Sequence, residues 1–338
     1  MKNDFPEYLT SFFSKYLVLQ KGLSENTISS YSDAFLLFFT FYEEKHNLRP
    51  TRLTLNKITR EAVTDFCQWL EETRGSSIKT RNLRLTAFHS FFRYVAKLDP
   101  SKLAICKDII DIPLKKCEKK LPVHLSDVEV KMLFAEPNIR TKKGIRDLAI
   151  MTVLYDTGAR VSELIDIKIS DVALVGTATI CVTGKGRKQR IVPISLATSN
   201  IIKAYYKSNR IDVKRGNCPL FTNSRKDALT RPGINYILDK YVQKARINNP
   251  DYFKVNVTAH VMRHTKATNL LLSDVSLIYI RDFLGHSSVI TTEHYAKSNP
   301  EFLRKAIEQN AESYTDGEDH YSHEEKEQLI DFLKAFRV

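Results

Sequence analysis

No stretch of this chain approaches the roughly 20 consecutive apolar residues needed to cross a bilayer, and its start, MKNDFPEYLT, lacks the basic-then-apolar layout of a secretory signal. Neither a membrane-spanning nor an exported protein is expected, and the cytoplasm is the default location. Cysteine is sparse. Cys67, Cys106, Cys117, Cys181 and Cys218 are odd in number, scattered, and without a CxxC pair, which argues against a disulfide framework and leaves free thiols, most of them core. Internal repeats and low-complexity segments are absent too. Acidic side chains are in deficit: Lys plus Arg number 52 against 39 Asp plus Glu, for a net charge of +13. Such an excess points to a polyanionic partner such as nucleic acid, the plainer alternative being solubility.

What is there divides unevenly. Residues 1–122 hold 20 basic and 14 acidic side chains, residues 123–306 hold 29 and 16, and residues 307–338 hold 3 and 9. The middle is the most basic segment and the tail is acidic. A length of 338 residues is too great for one ordinary core and suggests two domains. Four helices are expected within residues 1–112, from FPEYLTSFFSKYLVLQ, from ISSYSDAFLLFFTFYEEKH with Ser24 as N-cap, from ITREAVTDFCQWLEE and from SSIKTRNLRLTAFHSFFRYVAKL. The last begins with Lys79, Arg81 and Arg84, placed to touch phosphate or simply to form a solvated basic face.

PLKKCEKKLP, residues 113–122, is bracketed by prolines and reads as an extended linker whose Lys115, Lys116, Lys119 and Lys120 suit a DNA backbone. Helices resume at SDVEVKMLFAEP, with a Ser126–Glu129 capping box, and at TKKGIRDLAIMTVLYDTG. TATICVTGKGRKQRIVPI then alternates β-formers around a Gly-Lys-Gly turn, a hairpin with Lys185 and Arg187 at its basic tip. Helices follow. The fold class expected is mainly α with a small antiparallel β-sheet: an all-α N-terminal domain (1–112), a basic linker (113–122), a mixed domain (123–306) and a tail (307–338).

Four short stretches carry chemistry. In HVMRH, His260, Arg263 and His264 can share one helical face. Zinc fits poorly, since Val261 and Met262 stand where a zincin helix has its Glu, and an arginine beside the histidines favours an anion. In TGARVSEL, Gly158 permits a close turn and Arg160 enters a helix, either to meet an anion or to pair with Glu163. Lys185 is projected by the hairpin. In LGHSSVITTEHY, Tyr295 lies close in sequence to His286. A phenol with a pKa near 10 is a weak nucleophile unless cationic neighbours stabilise its oxyanion, and two Arg, a Lys and two His would do so.

These boxes, in this order and spacing, resemble the tyrosine recombinases, also called the phage-integrase family. TGARVSEL is similar to the first arginine box, TGKGRKQRIVPI to the hairpin with the catalytic lysine, HVMRHTKAT to the His-x-x-Arg box and LGHSSVITTEHY to the His and tyrosine box. The helical N-terminal unit resembles the family's core-binding domain. The resemblance implies a C-shaped clamp around double-stranded DNA recombination sites and site-specific strand exchange. In that scheme Arg160 and Arg263 hold the scissile phosphate, Lys185 protonates the leaving 5′ oxygen, His260 handles the tyrosyl proton, His286 hydrogen-bonds the phosphate, and Tyr295 attacks to form a 3′-phosphotyrosyl link. It further implies neither metal nor ATP, because the bond energy is kept in the protein–DNA link, and a homo-oligomer with a dimer on each site and a tetrameric synapse. The location becomes the bacterial nucleoid.

Met262 and Lys266 depart from the family's usual apolar or small residues. The length resembles Xer-type and transposon-encoded recombinases, and the residues after Tyr295 favour integration or excision of a mobile element over Xer-type dimer resolution. Two other readings stand beside it, a binding-only DNA protein of the same fold and a nicking-closing enzyme acting on one strand. The tail carries its own pattern: Ser322 with Glu325 makes a capping box before an apolar stripe of Leu329, Ile330, Leu333 and Phe336, so a docked helix is expected, on its own domain or on a neighbouring protomer.

Overall fold

The computed structural model describes residues 4–47, 49, 52–117, 123–285 and 327. It divides into two compact units, Met1–Lys120 and Leu121–Val338.

The first unit is helical. α1 (Phe5–Ser11) runs on into a π-helical stretch, Phe12–Gln20, and is followed by α2 (Glu25–His46), α3 (Arg60–Glu72) and α4 (Ile78–Leu98). A further helix, α5 (Leu103–Ile110), was not expected from the pattern; it buries Cys106 and Ile109. Ser24 occupies the N-cap position of α2, but its hydroxyl meets Thr27 Oγ1 instead of a backbone N–H. The core is unusually aromatic. Phe38 lies 5.1 Å from Phe66 and 4.9 Å from Phe88, ring centre to ring centre, in edge-to-face geometry that adds about 0.5–1.5 kcal/mol per pair to their burial. α4 carries the centre of this cluster through Phe88, Phe91 and Phe92.

The second unit begins with α6 (Asp127–Ala135), started by the expected Ser126–Glu129 capping box. α7 (Lys142–Thr157) is buried along most of its length and ends at Gly158, whose φ of 55° is the left-handed conformation that glycine adopts without strain. α8 (Val161–Asp166) follows at once. The sheet has three antiparallel strands in the order β1 (Val172–Ala173), β2 (Thr179–Thr183) and β3 (Gln189–Pro193). β2 and β3 form the expected hairpin in the register Thr183↔Gln189 and Val182↔Arg190. β1 is an addition of two residues.

α9 (Leu196–Asn209), α10 (Arg231–Asn248), α11 (Ala259–Leu272) and α12 (Leu277–Leu284) complete the described residues. α11 and α12 pack through Ala267, Leu271, Ile280 and Leu284. This pairing carries the C-terminal end of α12 to the turn at Gly158: a Cβ built on that glycine would sit 2.9 Å from Leu284 Cδ2 and 3.1 Å from Phe283 Cε1. Among the described residues no helix is long and apolar enough to cross a membrane.

Candidate active site

The left-handed turn at Gly158 lets α8 start four positions after the last residue of α7, and Arg160 is its N-cap residue. Glu163 reaches back to accept from the Arg160 amide at 3.1 Å, while its other oxygen accepts from Arg160 Nη1 at 2.6 Å. The pairing with Glu163 foreseen as the plain alternative for Arg160 is therefore present. It does not consume the residue, because the Arg160 side chain stays 43% exposed above a carboxylate that is itself buried.

Glu163 holds a second arginine. Arg190 on β3 donates from Nη2 to Glu163 Oε2 at 2.7 Å and from Nε to the Phe283 carbonyl at 2.8 Å. Burial pushes the Glu163 carboxyl up, but the Arg190 bond and charge, with the two Arg160 bonds, outweigh it and hold the group below the usual carboxylate range. It stays ionised between its two guanidinium partners.

Arg263, on α11, is buried. Its Nη1 donates to the Gly158 carbonyl at 2.5 Å and its Nη2 to the Leu284 carbonyl at 2.7 Å. The same helix sets His260 and His264 one turn apart, ring centres 4.1 Å from each other and edge to face. Burial, followed by the nearness of His260, Arg263 and His124, pushes His264 down to about 4, so it is neutral near pH 7. The three residues of HVMRH thus divide: the histidines touch, and the arginine turns inward to the ends of α7 and α12.

The hairpin reaches the same place. Gly184, which precedes Lys185, accepts no Cβ without contact, since one built there would lie 3.4 Å from Glu163 Oε1 and 3.6 Å from Arg190 Nη1. The tip is a single turn, Lys185–Arg187, closed by a bond from the Gly184 amide to the Lys188 carbonyl, with Arg187 exposed at a φ of 59°. At the other side, a Cβ on Gly285 would lie 3.0 Å from Arg190 Nη1. The boxes around Arg160, Lys185 and Arg263 therefore meet, together with the residue that precedes His286. His286 and Tyr295 themselves lie outside the described residues.

Two participants escaped the sequence analysis. Arg190 had a signal, since strand periodicity sets it on the same face as the buried Val192, and an arginine on a buried face needs a partner. Lys266, noted only as a departure, places Nζ 3.1 Å from Asp156 Oδ1, while Asp156 Oδ2 accepts from the Ser195 amide at 2.9 Å. It ties α11 to α7 and to the start of α9.

The expected DNA contacts separate. Lys79, Lys116 and Arg187 are exposed. Arg81, expected at the DNA, is buried. It is 4% exposed and its guanidinium faces inward, with Nη1 3.0 Å from Asn82 Oδ1 and 3.3 Å from the Pro113 carbonyl, and Nε 3.6 Å from Glu71. Arg84 is likewise occupied, donating to the Ser30 carbonyl at 2.9 Å and lying 3.8 Å from Asp33. Arg84 is held by α2, whereas for Arg81 the reason is the path of residues 113–117, which run along α4: Asn82 bonds both the amide and the carbonyl of Lys115, and Lys115 Nζ meets Glu71 at 2.8 Å. That stretch is part of the first unit's own packing. Lys119, Lys120 and the tail stripe lie outside the described residues.

Residues 124–301 match the phage integrase family and residues 11–97 the phage integrase N-terminal SAM-like domain. A putative integrase/recombinase, y4rC, of Sinorhizobium fredii is 37% identical over 291 residues, 86% of each chain. The tyrosine recombinase XerC of Bacillus subtilis is 33% identical over 298 residues, 86% of this chain and 92% of that one. Among solved structures, the XerH site-specific recombinase bound to a palindromic difH substrate superposes with a TM-score of 0.65 at 25% identity, covering 83% of this chain and 78% of that one. The chain belongs to the phage integrase family and is a tyrosine site-specific recombinase, an enzyme of DNA recombination.

Proposed function

We propose that this protein cleaves and rejoins DNA at specific sites through a 3′-phosphotyrosyl intermediate, with Tyr295 as nucleophile. The observation that carries the reading is the bond from Arg263 Nη1 to the Gly158 carbonyl, two residues before Arg160, which draws the two arginine boxes to one place. A phosphodiester passing through a pentacoordinate state gathers charge on its non-bridging oxygens, and two guanidiniums held by fixed partners match that charge without reorganising as it develops. Attack by the Tyr295 oxygen forms the phosphotyrosyl bond and breaks the bond from phosphorus to the 5′ oxygen. Lys185 gives that oxygen its proton, His260 takes up the tyrosyl proton, and His286 donates a hydrogen bond to the phosphate. A foreign 5′ hydroxyl then reverses the step on a new strand.

The partner in this reading is a double-stranded recombination site, met by exposed cations such as Lys79, Lys116 and Arg187. The protein acts as a dimer on each site and as a tetramer across two. Its role is integration or excision of a mobile element, supported by the similarity to the integrase/recombinase y4rC; the Xer-type role is the second reading, supported by the similarity to XerC.

The test is a nicked suicide duplex resolved on a denaturing gel. Wild type should yield a covalent protein–DNA product, and Tyr295→Phe should bind the duplex equally while yielding none. Product from the variant would move the nucleophile to another tyrosine.

A further inference from the structure

Arg190 stands where three chain segments converge, and none of its contacts is with a neighbour in sequence. Its Nη2 holds Glu163 Oε2 at 2.7 Å, its Nε holds the last-turn carbonyl of Phe283 at 2.8 Å, and its side chain is 11% exposed. Glu163 in turn holds Arg160 through the amide and Nη1. Directly on this ion pair rests the backbone of Gly184, the residue before Lys185, 3.4 Å from Glu163 Oε1 and 3.6 Å from Arg190 Nη1 as measured from the position of a Cβ. Arg190 is itself on the hairpin, opposite Val182, so the strand that supplies it returns directly from the tip that carries Lys185.

A hairpin tip joined to its domain only through two short strands can rock about its base. The Arg190–Glu163 ion pair restrains that motion where the base of the hairpin meets the arginine box. A lysine replacing Arg190 could satisfy either Glu163 or the Phe283 carbonyl, but not both in the fixed fork geometry of a guanidinium.

We propose that Arg190 is a positioning residue for proton delivery: by bolting the hairpin base to Glu163, it sets Lys185 at a fixed reach from the phosphate held by Arg160. The inference rests on the recombinase reading above and on the role given there to Lys185. In the step concerned, the bond from Tyr295 to phosphorus forms, the bond to the 5′ oxygen breaks, and the departing oxygen takes its proton from Lys185. When sulfur replaces that oxygen, the leaving group needs no proton and a misplaced Lys185 ceases to matter.

The experiment uses the full chain, single-turnover cleavage of a suicide duplex with oxygen or sulfur at the 5′ bridging position, and the variants Arg190→Met, Arg190→Lys and Lys185→Ala. Thermal melting and gel shift run alongside. Arg190→Met should cut the oxygen substrate slower by roughly 10²-fold, the scale of a displaced catalytic group, while cutting the sulfur substrate within a few-fold of wild type. Arg190→Lys should fall between and, being the milder change, carries the comparison at a temperature where it is folded if the Met variant melts. Equal loss on both substrates, or no loss on either, overturns the positioning role. The control separates the two levels: if Lys185→Ala is not rescued by sulfur, the role given to Lys185 fails and this proposal with it. If Lys185→Ala is rescued and neither Arg190 variant is, only the proposal about Arg190 fails.

Discussion

Arg263 donates to the Gly158 carbonyl at 2.5 Å across 105 positions of sequence, and the same guanidinium holds the Leu284 carbonyl at 2.7 Å. One buried side chain thus joins the end of α7 to the end of α12, satisfying carbonyls that helix termini leave without intrahelical partners. The arginine proposed above to hold the phosphate is thus fixed by two backbone carbonyls.

The turn that offers the Gly158 carbonyl should tolerate no side chain. Gly158→Ala places a Cβ at a φ of 55° and 2.9 Å from Leu284 Cδ2, combining left-handed strain of about 1 kcal/mol with displacement of α12. Urea unfolding should show the variant destabilised by at least that amount, and its cleavage of a suicide duplex should fall further than its DNA affinity. A variant as stable and active as wild type would mean that α12 does not press on this turn.

Lys266 and Asp156 set a pH dependence. Burial raises the Asp156 carboxyl, but the Lys266 ammonium and the bonds from Ser195 and Thr198 outweigh it and leave it below the usual range. A carboxyl depressed on folding contributes stability above its unfolded pKa, about 3.9, and that contribution is lost as pH falls through the folded value. Lys266→Met should therefore cost roughly 2 kcal/mol near pH 7, the scale of a charge-assisted bond, and the gap to wild type should narrow below about pH 4. Denaturant titrations of both proteins at several pH values measure the gap, and one that stays constant with pH would sink the assignment.

Exposed and buried cations of α4 should behave oppositely in DNA binding. Lys79→Ala should lower the slope of log affinity against log salt by about 1, because one phosphate contact and its released counterion are lost. Arg81→Ala should instead lower the melting temperature, since it strips Glu71 and the Pro113 carbonyl of a buried partner, and should leave the slope nearly unchanged. Salt-dependent gel shifts and melting curves separate the two, and an Arg81→Ala protein with wild-type stability and a reduced slope would return Arg81 to the DNA.

Deleting residues 318–338, which carry the acidic, apolar-striped tail, should leave single-site binding within a few-fold of wild type while reducing the pairing of two sites and altering cleavage yield. Gel-shift stoichiometry and covalent-complex yield, taken together, decide it. Normal pairing and recombination by the truncated protein would show that the tail links no protomers.

Much of the candidate site was legible because its chemistry-bearing residues lie in short contiguous boxes, each with its own local logic. Gly158 reads as a turn, the Gly-Lys-Gly run as a hairpin tip, and the three-residue step from His260 to Arg263 as one helix. The helical character of the first unit was legible for a similar reason, since long amphipathic runs declare a period. α5 was missed because eight residues are too few to show a period, and such a helix is stabilised by the α4 surface it packs on instead of by its own sequence.

By itself, then, the sequence determined which residue types stand in which boxes, and hence the family and the class of reaction. Only the tertiary structure decided what each cation faces. Arg81 and Lys79 are two positions apart on one helix, yet the first is buried against Pro113 and the second is exposed, because the segment after α5 returns across one side of α4. Arg190 joins Glu163 and the end of α12 from 27 and 93 positions away, and Lys266 reaches Asp156 from 110. Local pattern carries the hydrophobic period and the turn, which depend on adjacent residues; the partner of a buried charge depends on which distant segment the fold brings within about 3 Å of it.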